Sequence, residues 1–414
     1  MNPQSTEVDI AIVGGAMVGA SLALALSNLS RTLQRPLKLA LIEAHEPGQG
    51  QSGFDARAIA VAHGSRHALQ QMGIWPKLAN LGTPIRDIHV SDRGHFGMTE
   101  INSSSFDLDA LGEVVELERV GQVLFAALAK TDIAVFCPSQ LASIDSEVQG
   151  HTLTLNNGNK IYCKLLVAAD GANSKVRQLQ QQPQQISAFG QSAIIANVAS
   201  NRPHQGMAWE RFTEHGPIAL LPMADSNGKP RLSLVWAMPE AAITERLTLT
   251  DSDFLEALQQ AFGNRAGQFT AVGSRYSYPL ALSYMSRPAF HRTVYLGNAA
   301  QTLHPIAGQG FNLGLRDISG LLAVLKPVLQ QYGDVGSVSV IHDYLACRET
   351  DRRQTINSIE FLVRGFSNQY WPLVVGRNLG LRLLSWIPPL KVPVAHRAMG
   401  WHGRDTCNAL ARSR

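Results

Sequence analysis

Apolar and polar positions follow two different regimes along this chain. In the N-terminal part the apolar residues come in unbroken runs. Val8 to Val13 reads as a strand buried on both faces, Ala16 to Asn28 as the helix after it, and Leu37 to Glu43 as a second buried strand. Together they predict a βαβ unit. Residues 44–57 form a Gly/Gln/Ser-rich connection, and Ile59 to Met72 reads as a helix stopped by Gly73. Val120 to Lys130 predicts another helix and Leu165 to Ala169 another apolar strand. Between about residues 185 and 285 the pattern changes. Ala193 to Ala199, Met207 to Thr213, Ile218 to Pro222 and Arg231 to Met238 predict strands of a largely antiparallel sheet, with a turn at Asn227-Gly228. A helix opened by Asp251 or Ser252 runs to about Phe262. The first regime returns at Thr293, and beyond Arg348 the chain reads as helical and apolar, with Trp371, Trp386 and Trp401 along it.

The expected fold class is therefore α/β (α+β). A Rossmann-like domain made of residues 1–80, 115–184 and 288–347 is interleaved with an antiparallel-sheet domain of residues 81–114 and 185–287. A C-terminal helical segment covers 348–414.

Composition narrows the function classes. With 414 residues, 45% of them apolar and 16% charged, the chain can bury a substantial core in more than one unit. A formal charge of +4 is small for this length and gives no reason to expect nucleic acid. Cys137, Cys163, Cys347 and Cys407 are far apart with no metal-ligand spacing, so reduced thiols and no metal are expected. Residues 10–30 carry no charge and are long enough to span a bilayer, but Gly14, Gly15 and Gly19 interrupt them. Ser21, Ser27 and Asn28 also favour the βα reading over a membrane span. Glu7 and Asp9 argue against a signal peptide.

Three segments carry candidate chemistry. In Gly14-Gly15-Ala16-Met17-Val18-Gly19, Gly14 permits a tight turn and Gly19 close packing of helix on strand. The helix N-terminus suits a pyrophosphate, and Glu43 at the end of the second strand suits ribose hydroxyls. Ala16 stands where a second glycine is usual. Glu43 favours an unphosphorylated 2′-hydroxyl, as in NAD or FAD. In the second segment, Asp170 and Gly171 make a turn after an apolar strand, with Ser174 and Arg177 on one face of the next helical turn; an ordinary turn with a surface arginine has the same pattern. The third, Gly297 to Asp317, joins a strand to a helix through four glycines and a proline, so its backbone N–H groups can approach an anionic ligand.

In order and spacing these blocks resemble the single-component FAD-dependent aromatic hydroxylases of the para-hydroxybenzoate hydroxylase fold. Within that group the chain is most similar to the ubiquinone-pathway hydroxylases, through Phe54 to Ala60, Arg211 to Pro217, Gln301 to Pro305 and Pro372 to Asn378. Many sister enzymes have aspartate in place of Asn298 and histidine in place of Gln301, and the Asn/Gln pair favours the branch acting on a polyprenyl-methoxyphenol. The resemblance implies FAD as cofactor, with NAD(P)H and O2 as co-substrates. The implied reaction converts 2-polyprenyl-6-methoxyphenol to 2-polyprenyl-6-methoxy-1,4-benzoquinol via a C4a-hydroperoxyflavin. The first domain would bind FAD, and the sheet domain would cover it and line the ring pocket.

The resemblance assigns cofactor binding to Gly14, Gly15, Ala16, Gly19, Glu43, Arg57, Asp170, Gly171, Asn298, Pro305, Gly308, Gln309, Gly310, Phe311 and Asn312. Arg57 would reach the phosphates of FAD or NAD(P)H. His304 and Pro305 lie nearest the chemistry. His304 either tunes the flavin and relays the phenol proton, or simply bonds to backbone. Tyr276, Tyr278 and Tyr284 either reach the phenol or pack the sheet, and the tail tryptophans either touch lipid or pack helices. A cytoplasmic protein peripheral to the inner membrane, with partners in a ubiquinone-biosynthesis complex, is the implied setting. Two other functions stay open: hydroxylation at another ring position or of an unrelated phenol, and a flavin-free structural subunit.

Overall fold

The computed structural model describes residues 5–46, 57–95, 97–226, 228–303 and 309–366, together with 378, 392–393, 395–396 and 399–401. One sheet of eight strands has the strand Ser5–Val13 near its centre. It pairs in parallel with Leu39–Ile42 on one side and with Lys160–Ala168 on the other, and the latter pairs in parallel with Thr293–Tyr295. The ends of the strands nearest the loops that follow, Ile10 to Val13 and Leu165 to Ala168, are apolar because helices cover one face and other strands and loops the other. Ile10, Leu41, Leu165 and Val294 are fully buried against the helices Met17–Leu33, Leu117–Leu128 and Gln309–Gln330. The charge-free stretch 10–30 is thus strand and helix, as its glycines predict.

The second sheet has nine strands and is antiparallel apart from the pairing of Asp87–Asp92 with Met207–Thr213. Its residues alternate faces. Trp209, Ile218, Leu220, Leu234, Trp236 and Ile194 bury themselves under the helix Asp251–Phe262. That helix is capped one residue earlier than the sequence suggests, by the Thr250 hydroxyl, which accepts the Asp253 N–H at 3.2 Å. The opposite face is turned toward the first sheet's domain.

A small third sheet joins Ala58–Ala62, Gly112–Glu116 and Thr83–Ile85. It corrects the expectation of one helix from Ile59 to Met72. Residues 58–62 form a strand and the helix starts at His63, ending at Gln71. A ladder with Gly112–Glu116 and two hydrogen bonds from a distant asparagine outweigh the helical propensity of the alanines. Gly73, with φ +71°, ends the helix as expected.

The long helix Val338–Phe366 continues past Arg348. Trp371 and Trp386 lie outside the described residues. Trp401 packs on His396 and His63 and donates its Nε1–H to His63 Nδ1 at 3.2 Å. Cys137 and Cys163 are free thiols, and Cys407 lies outside the described residues. Among the described residues no helix is long and apolar enough to cross a membrane.

Candidate cofactor site and active face

Three close approaches build the N-terminal loop. Gly14 (φ +99°) donates its N–H to the Ile42 carbonyl at 2.8 Å, and a Cβ there would meet the Ala169 carbonyl oxygen at 2.4 Å. A Cβ on Gly15 would stand 2.9 Å from that of Glu43. Only glycine lets the loop, the second strand's end and the strand before Asp170 share this space. Ala16 is the N-cap of the helix Met17–Leu33, and no side chain caps it. The first-turn N–H groups are therefore left for an anionic ligand. Glu43 is buried; its two oxygens accept the N–H of Gly15 at 2.5 Å and of His45 at 3.0 Å. A carboxylate has about four acceptor sites, which leaves capacity for ribose hydroxyls.

Asp170 lies at the end of the neighbouring strand. Its Oδ2 accepts the Val176 N–H at 3.1 Å, while its Oδ1 is buried without a hydrogen-bond partner. Burial pushes its pKa up, against the opposing hydrogen bond from Ser174. Gly171 beside it has φ +83° and open space where a side chain would point. An orphaned acceptor beside an open turn fits a hydroxyl-bearing ligand.

Arg177 is not a surface residue. It is 6% exposed and donates to the carbonyls of Ala299 at 2.9 Å and Ala172 at 2.6 Å. It thereby holds the second segment against the third. In the third segment Gly297 (φ +54°) packs its backbone on Val18, and Gly314 of the following helix sits against both. Asn298 is exposed, and its carbonyl accepts the Thr302 hydroxyl at 3.3 Å.

Gln301 is 2% exposed and bridges two charges. Its Nε2 donates to Asp317 Oδ2 at 2.7 Å and its Oε1 accepts from Arg352 Nε at 2.6 Å. Asp317 also accepts the Gly297 N–H at 3.1 Å and pairs with Arg348 at 2.9 Å. Arg348 reaches Asp351 at 2.6 Å. This buried network fixes the loop's entry to the last long helix.

His304, Pro305 and Gly308 lie outside the described residues. Gln309, Gly310 and Phe311 open the helix Gln309–Gln330. The Asn312 side chain accepts the Ala62 N–H at 2.9 Å and donates to the Ala60 carbonyl at 3.0 Å. It therefore clamps the helix start to the small sheet, a role that its place in the motif did not reveal. Arg57, next to that sheet, lies over the Tyr278 ring, 5.1 Å from its centroid, on the inward face of the nine-stranded sheet. Tyr276 is exposed and Tyr284 packs with Leu282 and Leu313. Gln301, Arg177 and the Asn312 side chain are the residues whose roles sequence reasoning missed. The only signal was their polarity within apolar surroundings.

The glycine cradle, uncapped helix, Glu43 and the orphaned Asp170 oxygen together fit an extended dinucleotide. Residues 7–351 match the family described as "FAD binding domain". Fold and site define an FAD-dependent monooxygenase. The chain is 32% identical over 400 residues to ubiquinone hydroxylase UbiL of Rhodospirillum rubrum, covering 95% of this chain and 89% of that protein. It is 30% identical over 405 residues to 3-demethoxyubiquinol 3-hydroxylase of Escherichia coli, covering 97% and 100%. The crystal structure of p-nitrophenol 4-monooxygenase PnpA from Pseudomonas putida DLL-E4 superposes with a TM-score of 0.77 at 16% identity, covering 97% and 99%, and shares the fold. The chain belongs to the ubiquinone-biosynthesis family of FAD monooxygenases. The flavin-free structural reading is thereby set aside.

Proposed function

We propose that this protein hydroxylates 2-polyprenyl-6-methoxyphenol para to its phenolic oxygen, giving 2-polyprenyl-6-methoxy-1,4-benzoquinol. The observation that carries the ring position is the pair Asn298 and Gln301. Gln301 is an amide used at both ends, donating to Asp317 and accepting from Arg352. The position is thus built around glutamine, which matches the branch that the sequence resembles.

Bound FAD would supply the reductive activation of O2 at the expense of NAD(P)H. This chain's residues do the rest. The N-terminus of Met17–Leu33 and the Gly14-Gly15-Ala16 backbone hold the pyrophosphate, while Glu43 holds a ribose. Asp170, Gly171 and Asn298 bind the polyol part, and Arg57 meets phosphate. The helix N-terminus opened by Gln309 to Asn312 would stand where negative charge develops and stabilise it electrostatically. His304 and Pro305 are the residues that the resemblance assigns to the chemistry. The inward face of the second sheet excludes water from the reaction. The protein meets its lipid substrate from the cytoplasmic side, at the inner membrane or within an assembly of pathway proteins.

The test is mass spectrometry of quinone intermediates in cells lacking this gene, complemented with wild type or Gly310→Trp. Accumulated polyprenyl-methoxyphenol, cured only by the wild type, supports the step. A different accumulated intermediate moves the protein to another ring position.

A further inference from the structure

The inward face of the nine-stranded sheet carries one acid whose purpose the cofactor site does not explain. On Met207–Thr213, Trp209 points to the helix side, so Ala208, Glu210 and Phe212 point the other way. Ala208 packs with Ile85 and Val114 and, through them, with Ala58 and Ala60 of the strand that Asn312 clamps. At the other edge of this face Tyr278 lies under Arg57. The face is therefore held against the cofactor domain at both edges.

Between those contacts is a strip that the described residues leave half-buried. By register Glu210 sits between Val90 and Ala219, and Ala219 is followed by Val235 and Ile195. Glu210, Ala219, Val235 and Ile195 are all half-buried, whereas their apolar neighbours on the helix side are buried. The row spans three strand spacings, roughly 14 Å, enough for a substituted six-membered ring. Its floor is apolar between a few polar side chains: Glu210, Thr99 beyond Val90, Tyr276 beside Ile195 and, one row away, the cross-strand pair Asn197 and Ser233. Asn197 Oδ1 and Ser233 Oγ are both buried without hydrogen-bond partners. Among the described residues Glu210 also has no hydrogen bond or ion pair. Buried, unpartnered oxygens of Asn197, Ser233 and Thr99 on the floor that also carries Glu210 mark a place where a ligand supplies the partners.

We propose that Glu210 is the catalytic base of the hydroxylation, its carboxylate binding the phenolic hydroxyl and accepting its proton. The inference rests on the reading that the substrate is a phenol. The O–H bond breaks, the proton passes to Glu210, and the oxygen's electron pair moves into the ring, making the para carbon nucleophilic. That carbon forms a bond to one atom of O2; the other atom leaves as water, and NAD(P)H, oxidised to NAD(P)+, provides the two electrons. Loss of the proton on the hydroxylated carbon restores aromaticity, and Glu210 returns its proton to the phenolate oxygen. Ser233 and Asn197 are placed for the ring's second oxygen substituent.

The electrostatics suit the role. Burial alone pushes the Glu210 pKa up to about 7, where a carboxyl exchanges protons readily. Other charges on this face are engaged elsewhere. Asp92 accepts from Asn378 at 2.9 Å, Arg231 pairs with Glu116 at 3.0 Å, and Arg57 stacks on Tyr278.

The experiment compares wild-type holoenzyme with Glu210→Gln and Glu210→Asp, using 2-methoxy-6-farnesylphenol as probe. FAD content and melting temperature come first; the glutamine variant, which buries no charge, is expected to match the wild type. Without NAD(P)H, the ultraviolet difference spectrum of bound phenol is followed over about pH 6 to 11, a range spanning the raised carboxyl and phenol titration. The wild type is expected to show a phenolate band that Glu210→Gln lacks. With NAD(P)H, product formation is expected to fall about 100-fold in Glu210→Gln, with loss of the pH limb near 7. Glu210→Asp, its carboxylate drawn back, should fall between. A Glu210→Gln rate within about twofold of wild type and an unchanged pH profile would overturn the proposal. If Glu210→Gln fails to fold, a wild-type rate and pH profile in Glu210→Asp overturn it. If the wild type hydroxylates a different phenol, the substrate reading falls, and the same variants with that phenol decide Glu210. A wild type that hydroxylates no phenol removes both.

Discussion

A Cβ atom on Gly19 would stand 1.8 Å from the carbonyl oxygen of Gly14. The atom in the way is backbone, and Gly14 is itself pinned between Ile42 and Ala169. Gly19→Ala therefore has to push the helix Met17–Leu33 off the first strand. Loss of bound FAD and a destabilisation of about 2 kcal/mol or more are expected. Equilibrium dialysis with FAD and urea denaturation check it; wild-type affinity together with wild-type stability would contradict the packing described.

Asn312→Ala tests the clamp between helix and small sheet. It removes the partners of the Ala62 N–H and the Ala60 carbonyl. Leaving buried backbone groups unpaired costs about 1–3 kcal/mol, measurable as a lower urea midpoint with an unchanged slope. Asn312→Asp should retain the acceptor but lose the donor and fall between.

The buried pair Asp317 and Arg348 lends itself to a double-mutant cycle. Asp317→Asn leaves Arg348 with only Asp351 and weakens the Gly297 N–H contact, for an expected loss of about 3 kcal/mol. Adding Arg348→Met should recover part of that loss, because the uncompensated cation goes with it. Strict additivity of the two single variants in urea denaturation would show that the pair is not coupled.

His151 predicts an acid limb of stability. It is fully buried between the hydroxyls of Ser146 and Thr293, at 3.0 and 3.1 Å. Burial, then His291, lowers its pKa from 6.5 to about 4. In this window the unfolded chain binds a proton that the folded chain does not, so stability falls as pH drops from 6.5 toward 4. His151→Gln, which cannot titrate, should show a shallower fall in melting temperature over that window. An identical slope would mean that His151 does not carry the limb.

Much of the architecture is legible in the sequence, because buried parallel strands and a half-buried antiparallel sheet leave different periodicities. Val8 to Val13 and Met207 to Thr213 are examples of each. The Gly14 to Gly19 turn and Asp170 are legible because only certain residue types tolerate such turns. Ala58–Ala62 is not: five small and aliphatic residues suit either period, and the pairing that decides lies 50 residues away in Gly112–Glu116. Arg177 and Gln301 look like surface polar residues until the fold supplies Ala299, Asp317 and Arg352 as their partners. Glu210 interrupts an apolar alternation, and only the sheet's pairing shows which face it shares.

The contact between Lys160–Ala168 and Thr293–Tyr295 also governs how the chain matures on the ribosome. The first parallel sheet cannot complete itself when its N-terminal βαβ unit emerges, since a neighbour of its third strand is made more than a hundred residues later. In the interval the Leu166 to Ala168 part of that edge, beyond the stretch paired with Gly150–Leu155, is exposed to other chains while the antiparallel sheet is translated and folds on its own hairpins. Such long-range parallel pairing is slow to form and prone to aggregation meanwhile. A nascent chain arrested before Thr293 should therefore depend on chaperones, and one released past Asp317 should not.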